Sequence, residues 1–394
     1  MKRAVRLSVG AGGELLWEDP SPWDALVARR LGLPFAGNPP KGCLVPERAG
    51  WWSLKTMMVA VPEAGTANME TLWAIHDEAM ETTVQANKSP VEAKTFVTQR
   101  TISLLDLKRR IARQMFQQCR LCPLRCGGQL DCPAAGQAQY HQHFVHLGEE
   151  REIGQTLALE MAGCNMHCRF CQKGGTLLTG GAYHRLSQAL WQDILAYGQD
   201  AFHSLSLVGG NPDQSLPGIL DFLAEAPPES AQWPIIWHTN GYVDPPVYDL
   251  LAGIVDVWVF DFKFFHDDCA SQWSRAVRYV DAACRGLTGI LESQRQVPVI
   301  VRHLLLPGHE SCCAKPLIDY VGAWARRHGG HRLWLHLMDQ YVPAWRIGSG
   351  DGRMQEVIDD RVVKSMRQRA REQGLRLAGE AKPDAEHPEW WLWR

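Results

Sequence analysis

No run of 18 or more apolar residues occurs in this 394-residue chain. The longest candidate, around Ile254 to Phe265, is broken by Asp256, Asp261 and Lys263, so a membrane-spanning helix is not expected. An excess of charge is missing too: 41 basic residues nearly cancel 43 acidic ones. There is then no whole-molecule field to draw in an anionic membrane, and with no basic run either, nucleic acid is not an expected partner. The start, Met1-Lys2-Arg3-Ala4-Val5-Arg6, is basic but lacks a following apolar stretch. A secretory signal is therefore not expected, and a cytoplasmic location is. Internal repeats and low-complexity tracts are likewise lacking. What remains is a chain with 45% hydrophobic residues, enough to bury a full core.

Cysteine is abundant. Twelve are present, and in a reducing compartment metal ligation explains them better than disulfides do. Seven fall between Cys119 and Cys171 in two tight groups, whereas Cys43, Cys269, Cys284, Cys312 and Cys313 are scattered. The scattered five read mostly as small buried hydrophobes.

Two helices are expected in the first part of the chain, Met69 to Val84 and Leu104 to Gln117. From Gln155 onward, short β-branched and apolar runs alternate with amphipathic stretches, the pattern of strands and helices around a parallel sheet. The expected strands are Thr156–Met161, Ser204–Val208, Ile235–His238, Val255–Phe262, Val299–Leu306 and Arg332–Met338. Expected helices between and after them include Ser187–Tyr197, Gly218–Ala224, Pro246–Leu251, Ser274–Leu291, Cys313–Arg327 and Gln355–Gln373. Six such units make an α/β fold, a partial (β/α)6 TIM-like barrel with an N-terminal extension, whose chemistry belongs at the carboxyl ends of the strands. The expected organisation is an extension over 1–118, a cysteine-rich metal-binding segment over 119–150, the barrel over 151–380, and a Trp-rich tail over 381–394.

At the end of the first expected strand stand Cys164, Cys168 and Cys171, spaced C-x3-C-x2-C. Three local thiolates can hold an iron–sulfur cube and leave one iron with an open coordination position. The amino and carboxylate groups of S-adenosylmethionine (SAM) form a chelate that can occupy it. A structural zinc site would want four ligands, and only His167 is a local fourth. This spacing, with Phe170 before the last cysteine, resembles the motif of the radical SAM superfamily. The resemblance implies a [4Fe–4S] cluster on the three cysteines that cleaves SAM to a 5′-deoxyadenosyl radical.

Between Cys119 and Leu377 the order of short motifs is similar to that of the pyruvate formate-lyase activating enzyme family and its uncharacterised relatives. Gly209-Gly210-Asn211-Pro212 resembles that family's G-G-E-P, with Asn where Glu is usual; its backbone is expected near the SAM amino group. Thr239-Asn240-Gly241 resembles a T-N-G element beside SAM. His238 replaces an Asp that helps bind a monovalent cation in that family, so the cation site is not carried over. Asp261-Phe262-Lys263 resembles D-L-K, in which the Lys reaches the SAM carboxylate. Arg302, in Val301 to Gly308, is a candidate for the SAM region; its ordinary reading is an Arg paired with a carboxylate. Gln340, in Met338 to Pro343, is a candidate for adenosine or substrate contact.

Upstream lies Cys119-x2-Cys122-x3-Cys126-x5-Cys132, four thiols that suffice for a second [4Fe–4S] cluster or a zinc ion. The expected function is hydrogen abstraction from a protein or peptide substrate, of the glycyl-radical activating type, with a flavodoxin or ferredoxin as electron donor. The alternatives are methylation or epimerisation of a peptide residue by the same radical chemistry, or a non-catalytic zinc-binding module.

Overall fold

The computed structural model describes residues 7–9, 15–17, 44–46, 49–62, 68–84, 99–127, 138–146, 150, 152–177, 182–198, 201–294 and 296–379. Cys43, Cys132 and the Trp-rich tail lie outside the described residues. Strands β1 (Leu7–Val9) and β2 (Leu15–Trp17) pair antiparallel, as do β3 (Met58–Pro62) and β4 (Gln99–Ser103). Helices α1 (Trp51–Thr56), α2 (Met69–Val84) and α3 (Leu104–Gln117) accompany them.

The remaining strands form one nine-stranded sheet. They are β5 (Gln139–His146), β6 (Thr156–Met161), β7 (His184–Arg185), β8 (Leu205–Gly209), β9 (Ile235–Thr239), β10 (Val257–Asp261), β11 (Val299–Leu304), β12 (Leu333–Met338) and β13 (Arg376–Leu377). Their order across the sheet is β13-β12-β11-β10-β9-β8-β6-β5-β7. From β6 to β13 every pairing is parallel, while β5 runs antiparallel to β6 and to β7. All six expected barrel strands are present, and the sheet is an open, partial TIM-like barrel. The helices of this part are α4 (Gly174–Leu177), α5 (Gln188–Ala196), α6 (Leu216–Ala224), α7 (Pro245–Leu251), α8 (Asp267–Ser274), α9 (Tyr279–Ser293), α10 (Lys315–His328) and α11 (Asp360–Glu372). Among the described residues, no helix is long and apolar enough to cross a membrane.

Two expectations need correction. The helix read as Ser274–Leu291 starts only at Tyr279, as α9, Ser274 instead closing α8, because Arg275 and Arg278 take left-handed backbone angles (φ 55° and 54°) that no continuous helix tolerates. Strand β5 falls in the segment read only as cysteine-rich. Its sequence, Gln-Tyr-His-Gln-His-Phe-Val-His, carries too few β-branched residues to stand out.

Side-chain alternation divides the barrel core in two. Trp237, Trp258, Phe260, Val299 and Val301 point out under the helices and join the main hydrophobic core. Ile236, Val257, Val259 and Ile300 point in, forming a smaller cluster with Ile153. Leu44 and Val45 pack against that inner cluster, held by a hydrogen bond from Leu44 N to Glu152 O (2.7 Å).

The N-terminal helices share the main core, with Trp51, Leu54, Leu104, Leu107 and Ile111 buried in it. Helix α3 starts where the Ser103 hydroxyl caps the Asp106 N–H (3.0 Å), and its Arg109 and Arg113 both bond Asp221 of α6. Lys108 is wholly buried. Its ammonium donates to His76 Nε2 (2.7 Å) and to the Leu250 carbonyl at the end of α7 (3.0 Å). Burial lowers this ammonium from the usual 10.5 to about 7.

Inside the barrel, Glu150 is fully buried and receives both prongs of Arg302 (2.6 and 2.5 Å). His336 Nδ1 stands 2.6 Å from the same carboxylate. Burial alone would raise the Glu150 carboxyl, but Arg302 and His336 together hold it well below the usual carboxylate range.

Two predictions follow from these buried charges. A lysine depressed in the fold contributes stability that is full above its unfolded value and is lost as pH falls through its folded one. Wild-type protein should therefore gain on Lys108→Met, on the order of a few kcal/mol, as pH rises from about 7 towards 10; parallel profiles in anaerobic urea denaturation would refute this. Glu150→Gln should cost about 3–5 kcal/mol, because Arg302 is left buried without a counter-charge. Adding Arg302→Met should recover part of that loss, and strictly additive costs would count against the pairing.

Candidate active site at the strand ends

The cysteine triplet sits in the loop leaving β6, and each neighbouring strand end contributes to its shape. Gly163 (φ 78°) and His167 (φ 51°) supply left-handed turns that fold the loop back. Gly210 donates its N–H to the Met161 carbonyl (2.9 Å), and any Cβ on Gly210 would overlap the Gly163 carbonyl. Gly209 (φ 95°) is equally confined against Glu160 and Met161. The two glycines expected to admit a ligand are thus required first by the approach of β8 to the root of the cysteine loop.

Asn240 is the hub. Its Nδ2 donates to Asn165 Oδ1 (2.7 Å) and points at the Cys164 sulfur (3.6 Å), while its Oδ1 accepts from Tyr242 N (2.9 Å). Asn165 donates onward to the Tyr242 carbonyl (2.7 Å), and the Met166 N–H also points at Cys164 (3.5 Å). Asn211 Oδ1 accepts the Asn240 N–H (3.1 Å), so the G-G-N-P and T-N-G turns are joined. Phe170 meets Phe264 and Tyr341 edge-on, each with ring centres 6.1 Å apart. Arg169 pairs with Asp351 (2.8 Å), and its backbone N–H donates to the Trp273 carbonyl of α8 (2.7 Å).

Lys263 lies just past the fourth barrel strand, β10, its ammonium 3.0 Å from Asp261. Burial alone would lower its pKa; Asp261 and the Cys168 and Cys164 sulfurs outweigh this and raise it, so the side chain is a cation beside the thiols. Tyr279, for which the sequence offered no signal, accepts the Lys263 N–H (2.8 Å). Its hydroxyl lies 2.9 Å from the Asn240 carbonyl, linking the D-F-K and T-N-G elements.

Other candidates are placed differently. Thr239 points outward beneath the helices, its hydroxyl donating to buried Asp213 (2.7 Å); burial raises that carboxyl to about 6. Arg302 faces the barrel interior, paired with Glu150 as above, and its Nη1 donates to His238 Nδ1 (3.3 Å). Burial first, and Arg302 second, lower the His238 pKa to about 3. The neutral ring then donates from Nε2 to Ser206 (2.8 Å). Gln340 accepts through its backbone from Gln172 Nε2 (3.3 Å), next to Cys171. The amide of Gln214, just beyond Asn211, is buried with both polar atoms unpartnered.

Cys122 lies beside Asn165, and burial, with smaller pushes from Cys119 and Cys126, raises its thiol to about 11. The upstream cysteines therefore adjoin the triplet loop.

Sulfur spacing separates two kinds of site. Among the described residues, the ligand atoms of one trio, Cys269, Cys312 and Cys313, all lie within 4.8 Å of one another. The Cys164, Cys168 and Cys171 sulfurs do not all fall within that span, which suits ligands of three different irons. The thiols of this second trio are all raised by burial, and the N–H groups and Lys263 aimed at them favour the charged form that a cluster requires. The residues present fit a [4Fe–4S] cluster.

Comparison with known proteins agrees. A model of the radical SAM superfamily matches residues 161–321. The chain is 27% identical over 283 residues to the uncharacterised protein MJ0674 of Methanocaldococcus jannaschii, covering 67% of this chain and 78% of that protein. Among solved structures, QueE from Escherichia coli is similar at 10% identity and a TM-score of 0.33, over 61% of this chain and 93% of that one. SuiB from Streptococcus suis is similar at 14% identity and a TM-score of 0.38, over 57% and 48%. The two structural likenesses are too slight to carry an argument. The family match falls on the strands and loops just described, and residues 161–321 are those of a radical SAM domain, a superfamily that uses a [4Fe–4S] cluster and SAM.

Proposed function

We propose that the chain is a cytoplasmic radical SAM enzyme of the glycyl-radical activating type, abstracting hydrogen from a protein or peptide substrate. The observation that carries the proposal is the triplet loop itself: three thiols at the carboxyl end of the sheet, with N–H donors from Met166 and Asn240 aimed at Cys164. Cys164, Cys168 and Cys171 would hold the cluster, and the finer assignment rests on the order of motifs at successive strand ends. When bound, the cluster and SAM supply a 5′-deoxyadenosyl radical through one-electron cleavage of a C–S bond, the electron coming from a flavodoxin or ferredoxin.

This chain's own residues position and exclude. Lys263 offers a fixed cation for a carboxylate, since its pairing with Asp261 holds the ammonium beside the thiols. Gly209, Gly210 and Asn211 bring backbone polar groups to the same rim, and Gln214 offers an unpaired buried amide behind them. Phe170, Phe264 and Tyr341 pack apolar surface against the loop, which keeps water from the sulfurs. The Gln340 carbonyl accepts from Gln172, beside Cys171. The Cys119, Cys122, Cys126 and Cys132 group would hold a second [4Fe–4S] cluster or a zinc ion, and its contact with Asn165 supports a centre adjoining the first.

The test is anaerobic reconstitution followed by dithionite and SAM. Wild-type protein should form 5′-deoxyadenosine, and the Cys164→Ala/Cys168→Ala/Cys171→Ala variant should not; equal yields would reject the assignment. Asn240→Ala should retain the cluster yet shift its midpoint potential to more negative values in an EPR-monitored titration, because a donor to a ligating sulfur is lost. An unchanged potential would remove Asn240 from that role.

A further inference from the structure

The cysteines scattered late in the sequence are brought together by the fold. Cys269 lies on α8, which follows β10, and Cys312 and Cys313 lie in the π-helical turn Glu310–Ala314, which follows β11. The turn and the helix belong to adjacent units of the sheet and meet at its carboxyl edge. Cys269 Sγ and Cys312 Sγ are 3.7 Å apart, and all three sulfurs lie within 4.8 Å of one another. Zinc–sulfur bonds of about 2.3 Å in a tetrahedron place two sulfurs about 3.8 Å apart. The observed pair thus has the separation of one edge of a zinc–thiolate tetrahedron, without any movement of the backbone.

We propose that Cys269, Cys312 and Cys313 form a further metal site that binds one zinc-class ion through three thiolates and ties α8 to the turn after β11. The trio is too tightly drawn for a cubane, whose ligands sit on separate irons. It is also distinct from the triplet and from the upstream cysteines. Cys313 is buried, while Cys269 and Cys312 are half-buried, so an ion has access from one side. The Phe265 N–H points at the Cys313 sulfur, a donor of the kind that supports thiolate ligands. Among the described residues, no fourth cysteine, histidine or carboxylate atom joins the trio within 4.8 Å, which leaves the fourth position to water or to a ligand from solution. Three thiol protons leave as the three metal–sulfur bonds form, and no electrons change hands.

Helix α8 gives the site a consequence for the rest of the molecule. One turn beyond Cys269, Trp273 accepts the Arg169 N–H through its carbonyl (2.7 Å). Its ring lies under the Arg169 guanidinium (5.1 Å) and beside His309 (6.0 Å). A metal at the trio would fix the helix on which the triplet loop leans, and the inference stands whether or not the triplet carries its cluster.

The experiment uses protein whose iron–sulfur sites have been filled anaerobically, so that those thiols are occupied, followed by equilibration with Zn2+ and removal of loose metal. Wild-type protein should hold one more zinc per chain than Cys269→Ser/Cys312→Ser at unchanged iron and sulfide, with sulfur ligands in the zinc X-ray absorption spectrum. The same zinc should block alkylation of Cys269 and Cys312 in unmutated protein, mapped by mass spectrometry, and a chelator should restore it. Equal zinc in both proteins, alkylation indifferent to zinc, or a Cys269–Cys312 disulfide in anaerobically purified protein would each overturn the proposal.

Discussion

The side chain of Asn240 joins two strand ends to the cysteine loop, and the geometry of the site depends on that amide. One donor group serves Asn165 within the loop and faces the Cys164 sulfur, while its carbonyl oxygen fixes the turn at Tyr242. The backbone of the same residue is held by Asn211 on one side and approached by the Tyr279 hydroxyl on the other. A buried amide with its polar atoms committed has little freedom to rotate, since each lost bond would leave a desolvated group. The loop inherits that rigidity. Glycines at 209 and 210 complete the arrangement by letting β8 approach where a side chain would collide.

Below this rim the barrel interior is polar at mid-height and apolar beneath. Residues on the inner face of successive strands set the layers: Ile236, Val257, Val259 and Ile300 below, Ser206, His238, Asp261, Arg302 and His336 above. Glu150, outside the barrel strands, supplies the counter-charge for the upper layer. Ionised groups this far from water persist only when paired and hydrogen-bonded, and Arg302 is committed to this task on both prongs. Its place on the inner face of β11 is explained by the carboxylate it neutralises. Lys263, one layer nearer the rim, faces the thiols and pairs with Asp261 (3.0 Å). That difference makes it the better placed cation for an anionic ligand.

Much of this was legible in the sequence, and the failures have physical causes. The six parallel strands stood out because strands buried on both faces are written as short, nearly continuous apolar runs, as in Thr156–Met161, buried throughout. The triplet was legible because its spacing is local. Thr239 was misplaced by motif order alone; alternation puts it on the face opposite His238, and its hydroxyl serves Asp213 instead of the rim. The partner of Arg302 lies 152 positions away, beyond any local pattern. Tyr279 offered no signal either, because its role depends on the helix break at Arg275 and Arg278.

Cysteine spacing in sequence and in space answer different questions. The triplet is close in sequence, yet its sulfurs do not all lie within 4.8 Å of one another, as thiols that reach separate irons would require. Cys269 and Cys312 are 43 positions apart yet nearly touch, because equivalent βα connections of adjacent parallel strands bring their first residues to the same edge of the sheet. A cysteine early in the helix after one strand meets cysteines in the turn after the next by topology, not by local sequence. Cysteines scattered in sequence are therefore gathered in space where they follow neighbouring strands. The same geometry that gathers substrate-binding loops at the carboxyl edge of a parallel sheet also gathers thiols there.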